Sequence, residues 1–517
     1  MSDRIAQPGA RSESPSPGTA ATGTPAANAS RGTAPPEFAV VIPAYNHAEY
    51  LGDALASALS QTERSFEVVV VDDGSTDNTE AVVRRFTDPR VKYLRQRNRG
   101  ASAARNAGMR ASQGRFIAFL DADDRWASDK LRRHGEFLRD HPDVGASYNS
   151  RWDVDSHSRN VLGLWRPPET VTLKDLVLGF PFSPSDLVVR REWAFGVNLF
   201  NERYAFYGDD LDFFCRLGLG GCRFHRVDGA LNFRAYHPGR RIEALQRCVE
   251  DALLPLEAVF ADPRCPVSTL AVRDEAYANH SLSWACRALF QGEGELGRAL
   301  LRRAVALKPS LLAGERCDLL RELLFASVRD DAADHELQMQ RALSALPDEM
   351  AHLSDHYRWA AAYGCLLKGT RAVLWKRHET GRALFRRAAT HRGLVDGPYL
   401  GMVLYQLREF EAECGDGSAE AAAGALAKRL KENGYPRDAR RLHASYFINR
   451  ATRDLAAARR GRAAANVIRA IRMDPRMSLS RDPYARLFRC VADSTHDGAS
   501  RSARPPGNAA GEPTPAA

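Results

Sequence analysis

Phe116-Ile-Ala-Phe-Leu-Asp121-Ala-Asp123-Asp124 is the stretch on which the fold turns. An apolar run stops abruptly at clustered carboxylates. Such a run reads as a buried strand of a parallel sheet. Ligands of open α/β sheets bind beyond the carboxyl ends of these strands. Clustered carboxylates repel one another unless a cation lies between them, and a hard divalent cation prefers oxygen ligands. Mg²⁺ in particular is held by one or two carboxylates together with substrate phosphates. The stretch therefore predicts a metal site for a phosphorylated substrate. Taken alone, Asp-x-Asp after a strand also serves as a cap for the next helix, so the surrounding chain has to decide.

Upstream, residues 38–42 (Phe-Ala-Val-Val-Ile) predict a first strand, followed by the loop Pro43-Ala-Tyr45-Asn46. Residues 48–61 predict a helix, with Leu51, Leu55, Ala58 and Leu59 on one side. A second strand, 66–71, runs into Asp72-Asp73-Gly74-Ser75-Thr76-Asp77. There Gly74 permits a tight turn, and Ser75 or Thr76 can cap a helix starting near Asp77. Residues 91–94 predict a short third strand. The segment Asn98-Arg99-Gly100 to Arg105-Asn106-Ala-Gly108 predicts a helix whose backbone N–H groups, near Gly100, favour an anion. Strand, carboxylates, turn and helix in this order form the ligand crevice of a βαβ unit. An Asp in the crevice can accept hydrogen bonds from a base or ribose, and Arg105 can face a phosphate or base, or lie on a solvated helix face.

Composition sets the outer limits. A chain of 517 residues holds more than one core. No apolar run is long enough for a membrane span, and the N-terminus lacks the apolar core of a secretory signal. Nine cysteines stand singly without C-x-x-C spacing, which argues for a reducing compartment over a disulfide framework or a zinc cluster. The formal charge of +9 suits anionic substrates or an anionic membrane surface. No nucleic-acid motif accompanies it, so no DNA or RNA partner is expected. Residues 1–36 and 497–517 are rich in Ala, Ser, Pro and Gly and are expected to be disordered tails.

Four motifs now stand in order: Pro43-Ala-Tyr-Asn46, Asp72-Asp-Gly-Ser-Thr-Asp77, Asn98-x-Gly-x-x-x-Ala-Arg-Asn106 and Leu120-Asp-Ala-Asp-Asp124. Together they resemble the nucleotide-sugar half of family 2 glycosyltransferases of the GT-A fold. The second half of that domain is similar too. Pro184-Ser-Asp-Leu-Val-Val-Arg-Arg191 resembles the strand before the family's acceptor site. Gly196-Val-Asn-Leu-Phe-Asn201-Glu202 resembles its Gly-x-Phe-Asp-Glu segment, with Asn201 in the Asp place. Gly208-Asp209-Asp210 resembles its Glu-Asp helix start, with Asp209 replacing Glu. Phe233-Arg234-Ala-Tyr-His237-Pro-Gly resembles its Arg-x-His-Pro-Gly segment, with one extra residue.

The resemblance covers about 38–240 and implies an α/β GT-A, Rossmann-like nucleotide-diphospho-sugar transferase domain. It implies that Pro43, Tyr45, Asp73, Arg105 and Asp121 bind the nucleotide sugar, that Asp123 and His237 hold Mn²⁺ or Mg²⁺, and that Asp210 is the general base. The donor implied is a nucleotide-diphosphate sugar, with UDP favoured, and the acceptor a glycan or lipid-linked hydroxyl in cell-surface polysaccharide or lipopolysaccharide synthesis. One displacement at the anomeric carbon inverts it. Processive relatives carry a Gln-x-x-Arg-Trp motif and membrane helices. Asp355-His-Tyr-Arg-Trp359 only echoes that motif, so a cytoplasmic, non-processive enzyme is expected, at most peripheral at the inner membrane face. The rival expectations are a nucleotidyltransferase and a non-catalytic nucleotide-sugar-binding scaffold.

From about 242 strand signals vanish and Ala, Leu and Arg recur at helical spacing. Gly297-Arg-Ala-Leu-Leu-Arg-Arg-Ala304 returns at Gly381 to Ala388 and, more loosely, at Gly461 to Ala470, each time after an amphipathic segment (277–290, 357–375, 446–458). The pattern resembles the second helix of tetratricopeptide repeats. Its period of about 80 residues, rather than 34, marks it as interrupted. The expected organisation is a GT-A domain over 37–245 and an all-α helical-repeat domain over 246–496. Stacked hairpins of that kind offer a surface for a protein partner or for positioning an acceptor.

Overall fold

The computed structural model describes residues 35–475 except 180, 205–206, 238–241, 330, 332 and 392–396. The expected tails at 497–517 and 1–36, save its last two residues, lie outside the described residues, as do Cys490 and the end of the 246–496 segment. The eight described cysteines are free thiols.

The described strands form one sheet. They are β1 (Phe38–Ala44), β2 (Phe66–Asp72), β3 (Val91–Arg95), β4 (Phe116–Phe119), β5 (Arg125–Trp126), β6 (Ala146–Asp155), β7 (Val161–Trp165), β8 (Thr170–Val171), β9 (Val188–Arg190) and β10 (Phe224–Tyr236). Their order is β3-β2-β1-β4-β9-β6-β10-β5, with β7 on β6 and β8 on β10. The first four are parallel, Phe38 lying opposite both Phe66 and Phe116. β9 then runs antiparallel to β4 and β6. The sheet is therefore mixed, and the run at Phe116 has a parallel neighbour on one side only. The order 3-2-1-4 reverses between β1 and β4. A crevice opens at such a switch point, here at Ala44 on one side and Asp121 on the other.

Alternation explains the two faces. Phe38, Val40, Ile42, Phe116, Ala118 and Leu120 pack with helices Ala48–Leu59 and Lys130–Asp140. Val41, Ile117 and Phe119 face the other way, with Met109 of helix Ala101–Ala111. That helix lies close because of Gly108, where a Cβ would stand 2.5 Å from Val41 Cγ1.

The second half is helical, as its sequence predicts. Helices Arg273–Gln291 and Gly294–Leu307 pair, as do Tyr357–Leu374 with His378–Thr390 and Pro436–Ala456 with Arg460–Met473. These are the three hairpins of the repeat. Two further pairs, Asp318–Ser327 with His335–Ser344 and Gly397–Cys414 with Asp416–Glu432, lie between them. The interrupted period follows: each recognisable copy is separated from the next by one hairpin that lacks the repeated residues. The repeat positions Ala304, Ala388 and Ala470 are all fully buried. One continuous core joins Phe119 and Phe213 below the sheet to Trp284, Leu366 and Phe447 of the hairpins. No described helix is long and apolar enough to cross a membrane.

Candidate active site

The floor of the crevice is tied by the two loops after β1 and β2. Asn46 adopts a left-handed conformation (φ 52°). Its N–H donates to Ser75 Oγ at 2.9 Å, and its Oδ1 accepts from the Thr76 N–H at 2.8 Å. Ser75 is thus committed to the loop rather than to the cap its sequence suggests. The cap role falls to Asp77, whose carboxylate accepts from the N–H of Ala48 and of Thr79, each at 3.0 Å. Tyr45 stands beside it, 44% exposed, and Pro43 is half-buried in β1.

Asp72 and Asp73 point to different tasks. Asp72 is fully buried and accepts from the Tyr93 hydroxyl at 2.6 Å and the Ser75 N–H at 2.7 Å. Burial pushes its carboxyl up, but these donors prevail and hold it below the usual range. Asp73 receives Gln96 Nε2 (2.7 Å) and the N–H groups of Arg99 (3.0 Å) and Gly100 (2.8 Å). The resemblance implies that Asp73 binds the nucleotide sugar. In the structure its carboxylate also fastens the N-terminus of helix Ala101–Ala111.

The Asp-rich turn after β4 is held from behind. The Asp121 N–H donates to Ser185 Oγ at 3.0 Å, and the Ser185 carbonyl accepts from Trp126 Nε1 at 3.0 Å. Asp186, fully buried, accepts from Arg151 (3.0 Å) and Asn232 (2.8 Å). Asp123 Oδ2 lies 2.9 Å from His237 Nε2, and the His237 ring meets Tyr50 edge-on at 5.1 Å. The extra residue before His237 does not keep it from the site. Arg234 instead pairs with Asp153 at 2.9 Å. Burial acts to raise Asp123, yet His237 and His47 hold it below the ordinary value. Asp124 is raised well above that value by burial and by Asp123 and Asp121. Its Oδ1 accepts from the Ala235 N–H, joining the turn to β10.

Arg105 links the two halves. It is 7% exposed and donates to Asp121 at 2.8 Å and to Asp209 at 2.9 Å. Burial acts to lower its pKa, but Asp121 and then Asp209 outweigh burial and hold the guanidinium charged. Asp209 also accepts from Ser102 Oγ at 3.1 Å, so the shorter side chain in the Glu place still reaches its partners. The helix Asp209–Leu219 starts after Gly208, whose φ of 93° suits glycine. A Cβ at Gly208 would stand 2.6 Å from the Asp251 carbonyl oxygen of helix Leu245–Ala261. Asp210 lies in the first turn rather than at the N-cap. Its Oδ1 accepts from the Leu211 N–H at 2.8 Å, and burial with Asp209 pushes its carboxyl up to about 7. It opens onto a cleft of about 660 Å³.

Two residues that the sequence reading passed over complete the frame. Asn106, 1% exposed, exchanges hydrogen bonds with the backbone of Phe200 (2.9 Å each way) and donates to Glu202 at 2.9 Å. Ser185 sets the Asp121 turn. Asn106 adjoins Arg105 in a motif already singled out, so its signal was present. The side-chain oxygen of Asn201, in the family's Asp place, accepts the local N–H of Arg203 at 3.2 Å.

Residues 39–193 match glycosyl transferase family 2. An uncharacterised glycosyltransferase of Haemophilus influenzae is 32% identical over 183 residues, 34% of this chain and 72% of that protein. The succinoglycan biosynthesis protein ExoO of Rhizobium meliloti is 39% identical over 164 residues, 31% of this chain and 46% of its own. The UDP-Glc:α-D-GlcNAc-diphosphoundecaprenol β-1,3-glucosyltransferase WfgD of Escherichia coli is 32% identical over 139 residues, 27% and 54% respectively. The chain belongs to glycosyl transferase family 2. It is a GT-A-like α/β unit continued by helical hairpins, and it spans about half the length of the last two relatives.

Proposed function

We propose that this chain transfers a sugar from a nucleoside-diphosphate sugar to an acceptor hydroxyl, with inversion at the anomeric carbon. The supporting observation is the turn Gly208-Asp209-Asp210. Asp209 reaches back through Arg105 to Asp121, while Asp210 opens onto the cleft. Consecutive carboxylates thereby address the donor side and the acceptor side. Asp210, pushed up to about 7, is matched to take a proton from a hydroxyl near neutral pH. No covalent intermediate is required by this geometry. Pro43, Tyr45 and Asp73 line the nucleoside side, with UDP the favoured nucleotide. The carboxylate of Asp123 and the imidazole of His237 face each other at 2.9 Å and form a donor set that suits Mn²⁺ better than Mg²⁺. An ion held there would neutralise charge developing on the leaving diphosphate. Arg105 keeps Asp121 and Asp209 apart and neutralised. The relatives named for succinoglycan synthesis and for a diphosphoundecaprenol-linked acceptor favour a role in cell-surface glycan assembly. Residues 37–245 would carry the transferase and 246–496 the helical part.

Calorimetry with UDP- and GDP-sugars tests the donor half. Tight binding in Mn²⁺, lost with EDTA and weakened in Asp123→Asn, is expected. Binding indifferent to both metal and Asp123 would remove the metal assignment.

A further inference from the structure

The cleft beneath Asp210 is not closed by the sheet alone. Gly208 and Asp210 line it from the sheet half, and residues from Trp284 to Phe410 line it from the helical half, with the Trp284 ring meeting Tyr207 edge-on at 5.0 Å. Its volume of about 660 Å³ falls within the range of built ligand sites. Three aromatic side chains that line it are unusually open for their size: Trp165 (42% exposed), Tyr207 (37%) and Tyr405 (52%). Flat aromatic faces with a polar edge match the alternating C–H and hydroxyl surfaces of a sugar ring.

The charge of the lining is also informative. Arg151 and Arg234 are taken up by Asp186 and Asp153. Arg371 is taken up by Asp331, and Glu409 is met by Arg166 and Arg408. Among the described residues Arg287 and Arg329 form no ion pair, and Glu322 acts on Arg329 only from beyond contact distance. Arg287 lies over the Trp284 ring at 4.8 Å, which places its guanidinium on the cleft wall, and Arg329 is exposed. Two guanidiniums that form no ion pair therefore line the cleft onto which Asp210 opens.

The geometry points to this cleft as the acceptor site, built jointly by the sheet and the hairpins, for a glycan that carries an anionic group. The inference rests on the transferase reading. It assigns the helical half to substrate recognition rather than to a separate partner. The anion is a sugar carboxylate or a phosphate ester on the glycan. Either matches the fork of an arginine.

The test uses the full chain and three soluble probes: tetragalacturonate, a phosphorylated maltotetraose and neutral maltotetraose. Calorimetry should show at least one acidic probe bound about tenfold tighter than the neutral one, with a gap that shrinks as salt rises. Whichever acidic probe binds tighter identifies the anion. Arg287→Gln with Arg329→Gln should erase the gap, and Arg329→Gln alone, at an exposed position, should narrow it without affecting folding. Tyr405→Ala should weaken all three probes alike. Equal binding of acidic and neutral probes, or a gap untouched by the arginine changes, overturns the proposal. Binding of none of the three by a preparation that binds a nucleotide sugar overturns it while leaving the transferase reading standing. Failure to bind either class removes both.

Discussion

At the scale of single residues, Asp210 and Arg105 bear most weight. Asp210→Asn keeps the shape and removes the proposed base, so transfer should fall by about 10²–10⁴-fold with donor affinity retained. The pH profile carries a sign. A base pushed up to about 7 must lose its proton to act, so activity should climb as pH rises through that value. Stability moves the other way. Between the ordinary Asp value of about 4 and 7 the folded chain keeps a proton that the unfolded chain has released, so folding stability should fall across that window. Parallel rate and denaturation profiles would check both slopes. The buried guanidinium of Arg105 holds two half-buried carboxylates. Arg105→Ala leaves them unneutralised and should cost about 3–5 kcal/mol in denaturant unfolding. Arg105→Lys should recover little, because a single ammonium does not span both partners as the guanidinium fork does.

At the scale of elements, the hairpins separate two uses of glycine. At Gly297 a Cβ would stand 2.6 Å from Leu289 Cδ2, and at Gly381 2.9 Å from Val373 Cγ2, while at Gly461 nothing lies within 4 Å. Gly297→Ala should therefore destabilise by about 1–3 kcal/mol through overpacking. Gly461→Ala should be neutral or stabilising by up to about 1 kcal/mol through helix propensity. Melting temperatures of the two variants would show the split. These elements also show what the sequence discloses. Strand ends followed by carboxylates were legible at Asp72 and Asp121, because apolar runs and turn chemistry are local signals. The hairpins with repeated Gly and Ala were legible for the same reason. The intervening pairs, such as Asp318–Ser327 with His335–Ser344, were not, because tertiary burial held them without the repeat's residues. The antiparallel entry of β9 beside β4 was equally hidden, since pairing partners lie far apart in the chain. The tie between Asn106 and Phe200, and the support of Asp121 by Ser185, are long-range contacts of the same kind.

At the scale of the whole molecule, the core is continuous from Phe119 to Phe447. Gly208, which starts the helix bearing Asp210, lies under the Asp251 carbonyl of helix Leu245–Ala261. The helical half thus helps set the turn proposed to be catalytic. Calorimetric unfolding of the full chain should show one transition rather than two. A chain ending at 245 would expose the lower face of the sheet and should fail to give a cooperative transition. Two well-separated transitions would contradict this coupling.

The central claim, that this chain activates a nucleoside-diphosphate sugar with Asp210 as base, is tested most directly by nucleotide release. The full chain and Asp210→Asn would each be incubated with a panel of nucleotide sugars in Mn²⁺, Mg²⁺ or EDTA, with acidic and neutral oligosaccharides as acceptors. The account predicts release from one donor, raised by an acidic acceptor, abolished by EDTA and sharply reduced in Asp210→Asn. Release that is unchanged in Asp210→Asn, or absent with every donor and acceptor offered, would contradict it.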